Sequence, residues 1–160
     1  MKYHPLFSFI LFALLFWGSL PSKALEAEWS SQSVHFNYRL QARNPWWGCR
    51  SAEPIVERVL EMFEAQNIAL FCEDNQGRGI PEVRLWLQFD QLSLKRTELS
   101  SPIQASWKSL SFSSNQLCGF YTSLTDRLLP FFETRNKQLM SSCSGEDGQI
   151  YLQADILSPF

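Results

Sequence analysis

Three tryptophans and two arginines are the residues best suited to recognising a partner. Trp46 and Trp47 stand side by side just ahead of Cys49. Neighbouring residues of an extended segment point to opposite sides, so one of the two is expected to be exposed, although both could instead pack over a helix start or a disulfide. Exposed large aromatic side chains are typical anchors of binding surfaces. The predicted site, which suits a protein or an acidic, ring-bearing ligand, consists of Trp46, Trp47, Trp86, Arg39 and Arg43.

The sequence offers little for nucleophilic catalysis. His35 is the only histidine outside the first 24 residues, and it lies on the polar face of a predicted strand, which favours a plain surface role. No Gly-x-Ser-x-Gly or comparable nucleophile turn accompanies it. We therefore assign no catalytic residue and favour a non-enzymatic domain. A carboxylate-dependent hydrolase stays open as the alternative, because two catalytic carboxylates need not be close in sequence.

The sequence lacks the common motifs for metals and cofactors. It contains no C-x-x-C pair and no glycine-rich phosphate loop. The acid pairs Glu73-Asp74 and Glu146-Asp147 stand in turn-rich stretches, but neither has the alternating oxygen ligands of a calcium loop. We interpret both pairs as solvated turn charges and expect no metal and no cofactor.

Length and composition indicate one globular domain. The chain has 160 residues, of which 45% are hydrophobic and 19% are charged, and this balance is ordinary for a protein with a packed core. The formal net charge is −2, and no run of basic residues is present. A nucleic-acid partner is therefore not expected, because binding to phosphates needs a basic patch.

The first 24 residues have the pattern of a cleaved secretory signal peptide. Lys2 precedes an uncharged apolar run at residues 6–20, and small residues lead to a cleavage site after Ala24, with Ala27 as the other candidate. An uncleaved anchor is the alternative, but 15 apolar residues fall short of the roughly 20 that span a bilayer. Cleavage removes two lysines and no acid, so the net charge changes from −2 to −4. We predict export to the periplasm or the outside, with no membrane span left.

An internal repeat organises the exported part. With a shift of 69 residues, the segment that starts at Cys49 aligns with the segment that starts at Cys118, and seven of 22 positions are identical. Chance at average composition gives about one or two identities. A second cysteine follows in each segment, Cys72 in one and Cys143 in the other. We predict two tandem repeats, about residues 33–100 and 101–160.

Each repeat is predicted to be a βαβ or βαββ unit. A strand with alternating apolar residues precedes the first cysteine, and an apolar stripe with helical spacing follows it. Ser51 is the predicted N-cap of the first helix, and Pro130 is expected to shorten the second. Asn67 and Asn136, just past the helix ends, are predicted to be left-handed C-caps. The short apolar pieces that follow are either strands or loops.

The cysteines are expected to pair within each repeat. A helix of about 16 residues carries the chain some 24 Å, and about six extended residues bring it back. Pairs Cys49–Cys72 and Cys118–Cys143 would each tie a helix start to the returning segment, contributing about 3 kcal/mol per bridge. A bridge between the two repeats is the alternative.

The predicted fold is α+β, with both repeats in one sheet and both helices on one face. A ferredoxin-like strand order follows if the short apolar pieces are loops. The predicted function is that of an exported, non-enzymatic binding or accessory domain that recognises another protein or an envelope component. A structural envelope component is a further alternative, beside the carboxylate-dependent hydrolase.

Overall fold

The computed structural model describes residues 24–40, 47–75, 80–95 and 101–160. The predicted signal peptide lies outside this part of the chain, apart from its last residue. In chain order the elements are β1 (Leu25–Arg39), α1 (Cys49–Met62), β2 (Gln66–Asp74), β3 (Glu82–Leu94), β4 (Ile103–Ser114), α2 (Cys118–Leu128), a 3-10 helix (Leu129–Phe131), β5 (Thr134–Ser141) and β6 (Ile150–Pro159). The α+β class is confirmed, and the sheet is its larger part.

The six strands form one sheet in the order β2-β3-β1-β4-β6-β5, and every neighbouring pair is antiparallel. Residues 25–94 contribute one side of this sheet, which we call the first half, and residues 103–159 contribute the second half. Among the described strands, the two halves pair where residues 25–27 of β1 meet residues 103–105 of β4 and at no other place.

The ferredoxin-like order is not confirmed. It required the short apolar pieces after the helices to be loops. Instead, the first piece lies within β2, and the second piece begins within β5 and ends directly after that strand. Each of these strands pairs with the strand that follows it, because a turn-rich connection lets the chain reverse and form an antiparallel hairpin. The result is a six-stranded sheet with β2 and β5 at its two edges.

The strands follow the predicted alternation. In β1, Val34, Phe36 and Tyr38 are buried, whereas the residues between them are exposed. We call the face that carries the buried set the inner face. The apolar sides of α1 and α2 join it in one core, where Phe63 and Phe89 pack on Phe132 with ring centroids 4.9 and 5.5 Å apart. Both halves therefore share this core.

The opposite, outer face of the sheet also buries apolar side chains near the junction of the halves. Ala27 and Val34 of β1 are an odd number of residues apart, so they point to opposite faces. Ala27 forms a second, smaller cluster with Leu92, Ala105 and Leu157, each at most 3% exposed. The arrangement is thus less simple than the predicted sheet with one covered and one solvated face.

The helix ends differ in detail from the prediction. α1 begins at Cys49 with Gly48 before it, so Ser51 lies inside the first turn and is not the N-cap. Pro130 shortens the second helix as predicted, because α2 ends at Leu128 and a single 3-10 turn follows.

Asn67 and Asn136 adopt left-handed backbone angles as predicted, with φ of 51° and 52°, but they are not helix caps. Each lies inside an edge strand, β2 or β5, at a point where the pairing register shifts. A β-bulge needs such a residue, and asparagine tolerates the conformation better than most side chains.

Both disulfides join the cysteines that were predicted to pair. Cys49 is bonded to Cys72 and Cys118 to Cys143, with Cα–Cα distances of 5.6 and 5.5 Å. Each bridge joins the first residue of a helix to the returning segment, so the alternative of a bridge between the two halves is excluded.

Candidate functional site

Three ring-bearing side chains line up across the outer face of the first half. Phe71 of β2 stands opposite Trp86 of β3, and Trp86 stands opposite His35 of β1. The ring of His35 stacks on that of Trp86 with centroids 4.8 Å apart, and the ring of Phe71 lies 5.4 Å from Trp86 on a tilt. Phe71 is 58% and Trp86 38% exposed. We call these three residues the aromatic row.

A band of charged side chains borders the aromatic row on one side. Arg84 lies two residues before Trp86 on β3, and Glu82 lies two residues farther. The Glu82 carboxylate accepts a hydrogen bond from Arg39 at 3.4 Å and has Arg84 Nε at 3.8 Å. Both arginines share this carboxylate, and Glu73 of β2 stands opposite Arg84. Two acidic and two basic side chains therefore balance, so the band has no net charge to attract an acidic ligand.

The structure brings two of the five predicted site residues onto this face. Trp86 is in the aromatic row, and Arg39 lies four residues from His35 along β1, roughly 14 Å away at the backbone. Trp46 and Arg43 lie outside the described residues. The fifth residue, Trp47, is elsewhere.

Trp47 is a core residue, which corrects its place in the predicted binding surface. It is 5% exposed, and its ring packs edge-on against Phe120 of α2 at 4.8 Å and against Tyr38 at 6.5 Å. Its Nε1 atom is buried with no hydrogen-bond partner among the described residues. The side chain enters the core because the chain turns from Trp47 through Gly48 directly into α1.

Phe71 and His35 were not among the predicted site residues. Phe71 belongs to the short apolar piece after α1, for which sequence alone left strand and loop open. His35 was placed on the polar face of its strand, which is correct, but its neighbour Trp86 could not be identified without the register between β1 and β3. The alternation within β2, in which residues 69, 71 and 73 are exposed, is the signal that could have predicted an exposed position for Phe71.

The acidic turns serve the helix N-termini. The backbone N–H of Cys49 donates to Asp74 Oδ2 at 2.8 Å, and that of Phe120 donates to Glu146 Oε2 at 3.3 Å. The Tyr38 hydroxyl donates to the other oxygen of Glu146, and burial together with this hydrogen bond raises the pKa of Tyr38. A carboxylate at a helix N-terminus is stabilised by the amides and by the helix dipole. These acids are thus more than solvated turn charges.

A glycine makes the second of these caps possible. A Cβ at Gly119 would lie 2.6 Å from the Gly145 carbonyl and 2.8 Å from the Tyr38 hydroxyl. Any larger residue would push the turn that carries Glu146 away from α2.

Two matching hydrogen-bond networks lie on the sheet surface. In the first half, Asp90 accepts hydrogen bonds from Asn67 Nδ2 at 2.7 Å and from the Ser31 hydroxyl, which together hold its pKa below the usual range. In the second half, Asp155 accepts from Ser109 and Asn136, each at 2.7 Å, with the same effect on its pKa. Both aspartates are acceptors that fix a bulge, and neither is set up as a catalytic base.

The described residues offer no convincing metal site. The one group of potential ligands within this part of the chain is Cys49, Glu53 and Cys72, whose ligand atoms lie within 4.8 Å of one another. Both sulfur atoms are bonded to each other, so no thiolate is present and a single carboxylate remains.

No protein-family model matches the chain, and neither characterised proteins nor solved structures include a significant match to it. Across the described ranges, no helix combines the length and the apolar character that a membrane crossing needs.

Proposed function

We propose that this chain is an exported, disulfide-stabilised, non-enzymatic protein that recognises another protein or an envelope component through the aromatic row. The observation that carries the proposal is the solvent exposure of Phe71 and Trp86 side by side on an open sheet face. Tryptophan and its aromatic neighbours dominate the energetics of protein interfaces.

The electrostatics favour a protein over an acidic small ligand. Arg39 and Arg84 both lie near Glu82, and Glu73 stands opposite Arg84, so two carboxylates balance the two guanidinium charges. Recognition at this face therefore depends on apolar contact with Trp86 and Phe71, with the charged band as a polar rim. Such a centre and rim are typical of protein interfaces.

Export is supported by the N-terminal sequence pattern and by the disulfides. Two bridges within a single chain fit an oxidising compartment, such as the periplasm or the outside of a cell. The exported part is proposed to begin near Leu25, where β1 starts.

We also infer that the two halves arose from one repeated unit. Both follow the order βαββ, and the sheet order reads outward from β1 and β4 in the same way. The bulges, the Asp90 and Asp155 networks and the acidic helix caps recur at matching positions. The repeats would then comprise residues 25–94 and 103–159, with the first starting earlier than the sequence suggested.

The alternative of a carboxylate-dependent hydrolase has one candidate location. Glu73, Asp74 and Glu82 line a pocket of about 100 Å³ with Asn75 and Arg84. However, Asp74 accepts a hydrogen bond from the backbone N–H of Cys49, and Glu82 accepts one from the Arg39 guanidinium. Two of the three carboxylates thus have structural partners, which supports the binding proposal over the hydrolase.

The proposal is tested by capture from native envelope extract with the oxidised protein and a Trp86→Ser variant. Tyr151→Ser is the matched control, because Tyr151 lies four residues before Asp155 on β6 just as Trp86 lies four residues before Asp90 on β3. We expect a partner that the unaltered protein and the control retain and that Trp86→Ser binds about thirtyfold more weakly, as for an interface anchor. Equal retention by all three proteins would refute the role of the aromatic row.

A further inference from the structure

The two edges of the sheet carry opposite charges. β2, at one edge, contains Glu73 and Asp74 and no basic residue. The Glu53 carboxylate of α1 lies within 4.8 Å of the Cys72 sulfur and adds to this acidic edge. β5, at the other edge, contains Lys137 and Arg135 and no acidic residue, and Arg135 pairs with Asp155 of β6.

Each edge also exposes one large apolar side chain. Phe71 on β2 is 58% exposed and Met140 on β5 is 59% exposed. An edge strand leaves half of its backbone amides and carbonyls without a strand partner, so it is a template for a further strand. No other described strand pairs with the free side of β2 or of β5.

The strand directions allow the two edges to meet. Five antiparallel steps separate β2 from β5 across the sheet, so the two strands run in opposite directions. When a second copy is placed beside the first in the same orientation, its β2 therefore lies antiparallel to β5. If Phe71 then faces Met140, Asp74, which also accepts the Cys49 amide of its own chain, is brought level with Lys137, so an acid lies beside a base.

We infer that copies of this chain associate head to tail, with β2 of one copy adding to β5 of the next. The sheet continues across this contact, and the opposite charges of the two edges select it. A β2–β2 contact gains no such attraction, and a β5–β5 contact brings Arg135 and Lys137 of two copies together. Because the interface uses a different surface on each partner, the assembly is open-ended.

The inference shares Phe71 with the aromatic row, but it uses the sheet edges and not Trp86, so Met140 offers a separate test of it. An open-ended assembly of this kind would serve a structural envelope component, which is one of the alternatives raised by the sequence.

The test uses exported, oxidised protein and the variants Phe71→Lys and Met140→Glu. Both positions are exposed, so the fold should be kept, as checked by circular dichroism and absence of free thiols. Sedimentation of the unaltered protein should show a mass that rises with concentration beyond that of a dimer and falls at high salt. Each variant alone should associate about tenfold more weakly, since it sets like charges against each other.

An equimolar mixture of the two variants should recover association. When the variants alternate along the assembly, every second interface joins the introduced lysine to the introduced glutamate. The interfaces between these keep the original contact of Phe71 with Met140, so neither kind of interface sets like charges against each other.

Three outcomes would overturn the inference: a monomer at every concentration of the unaltered protein, association of Met140→Glu as tight as that of the unaltered protein, or no recovery in the mixture. The second outcome would indicate a β2–β2 dimer. Met140→Glu leaves the aromatic row intact, so its retention of the envelope partner in any of these cases would leave the proposed function standing by itself.

Discussion

The outer faces of the two halves carry equivalent rows of side chains with different chemistry. Counting four residues along each strand from the Ser31–Asp90–Asn67 network leads to His35, Trp86 and Phe71. The same count from the Ser109–Asp155–Asn136 network leads to Ser113, Tyr151 and Met140. The networks match residue by residue, whereas the rows differ in side-chain chemistry, and Tyr151 is half-buried where Trp86 is exposed.

This difference separates the residues that build the fold from those free to acquire a function. The networks fix a bulge in each edge strand, and both halves need that bulge in the same place. The aromatic row and its equivalent in the second half lie four residues along the strands from the networks, where no bulge has to be fixed. The first half has filled these positions with aromatic rings and the second with smaller or more polar side chains, so the first half is the better candidate for recognition.

The same comparison applies inside the core. Trp47 and Phe120 pack against each other, yet their counterparts at the 69-residue shift are Gln116 and Ser51. Each half thus supplies one ring that the other half lacks. The shared core is asymmetric, because this contact joins the halves through rings that have no ring at the aligned position.

Truncating this pair should produce the largest effect. Phe120→Ala removes a fully buried ring and should lower the free energy of unfolding by about 3–5 kcal/mol in urea. Trp47→Ala should also destabilise the protein. Because the two rings contact each other, the double variant should lose less than the sum of the single losses, by about 0.5–1.5 kcal/mol. Strictly additive losses would show that the halves are not joined by this contact.

Sequence patterns predicted the elements better than the site. The alternation in β1 and β3 and the helical stripe of α1 could be predicted, because each pattern depends on which residues of a single element are buried. The cysteine spacing restricted the possible disulfide pairings. Trp47 was misplaced because neighbouring side chains point to opposite sides only in an extended segment, whereas the chain enters α1 there. The aromatic row depends on the register of three strands, and that register is set by turns and bulges that the pattern of one strand does not contain.

The acidic caps give a second comparison of the halves, with a smaller effect. Asp74→Ala should cost about 1 kcal/mol, as for the loss of an N-cap side chain, in equilibrium urea unfolding. Glu146→Ala should cost more, about 2 kcal/mol at most, because Glu146 accepts from both the Phe120 amide and the Tyr38 hydroxyl. Equal losses for the two variants would show that the Tyr38 hydrogen bond adds nothing.

The two surface networks should give the smallest effect, and one that depends on pH. Hydrogen bonds to Asp90 and Asp155 lower the pKa of each carboxyl in the folded protein below its usual 3.8. The folded state therefore binds fewer protons, so this stabilisation is complete well above pH 3.8 and is lost as the pH falls through and below that value. Both carboxylates are screened by solvent, so Asp90→Asn and Asp155→Asn should each lower Tm at neutral pH by only about 1–2 °C.

The difference in Tm between each variant and the unaltered protein should shrink below about pH 4. Asp126→Asn, on the exposed side of α2, is the control for the removal of one surface carboxylate. Asp155 also forms an ion pair with Arg135 at 3.1 Å, whereas the hydrogen-bond partners of Asp90 are the uncharged Asn67 and Ser31. Because salt screens an ion pair, it should reduce the effect of Asp155→Asn on Tm more than that of Asp90→Asn. If the two aspartates respond alike to salt, the networks are equivalent in energy as well as in geometry, and the contrast between the halves is confined to the aromatic row and the core.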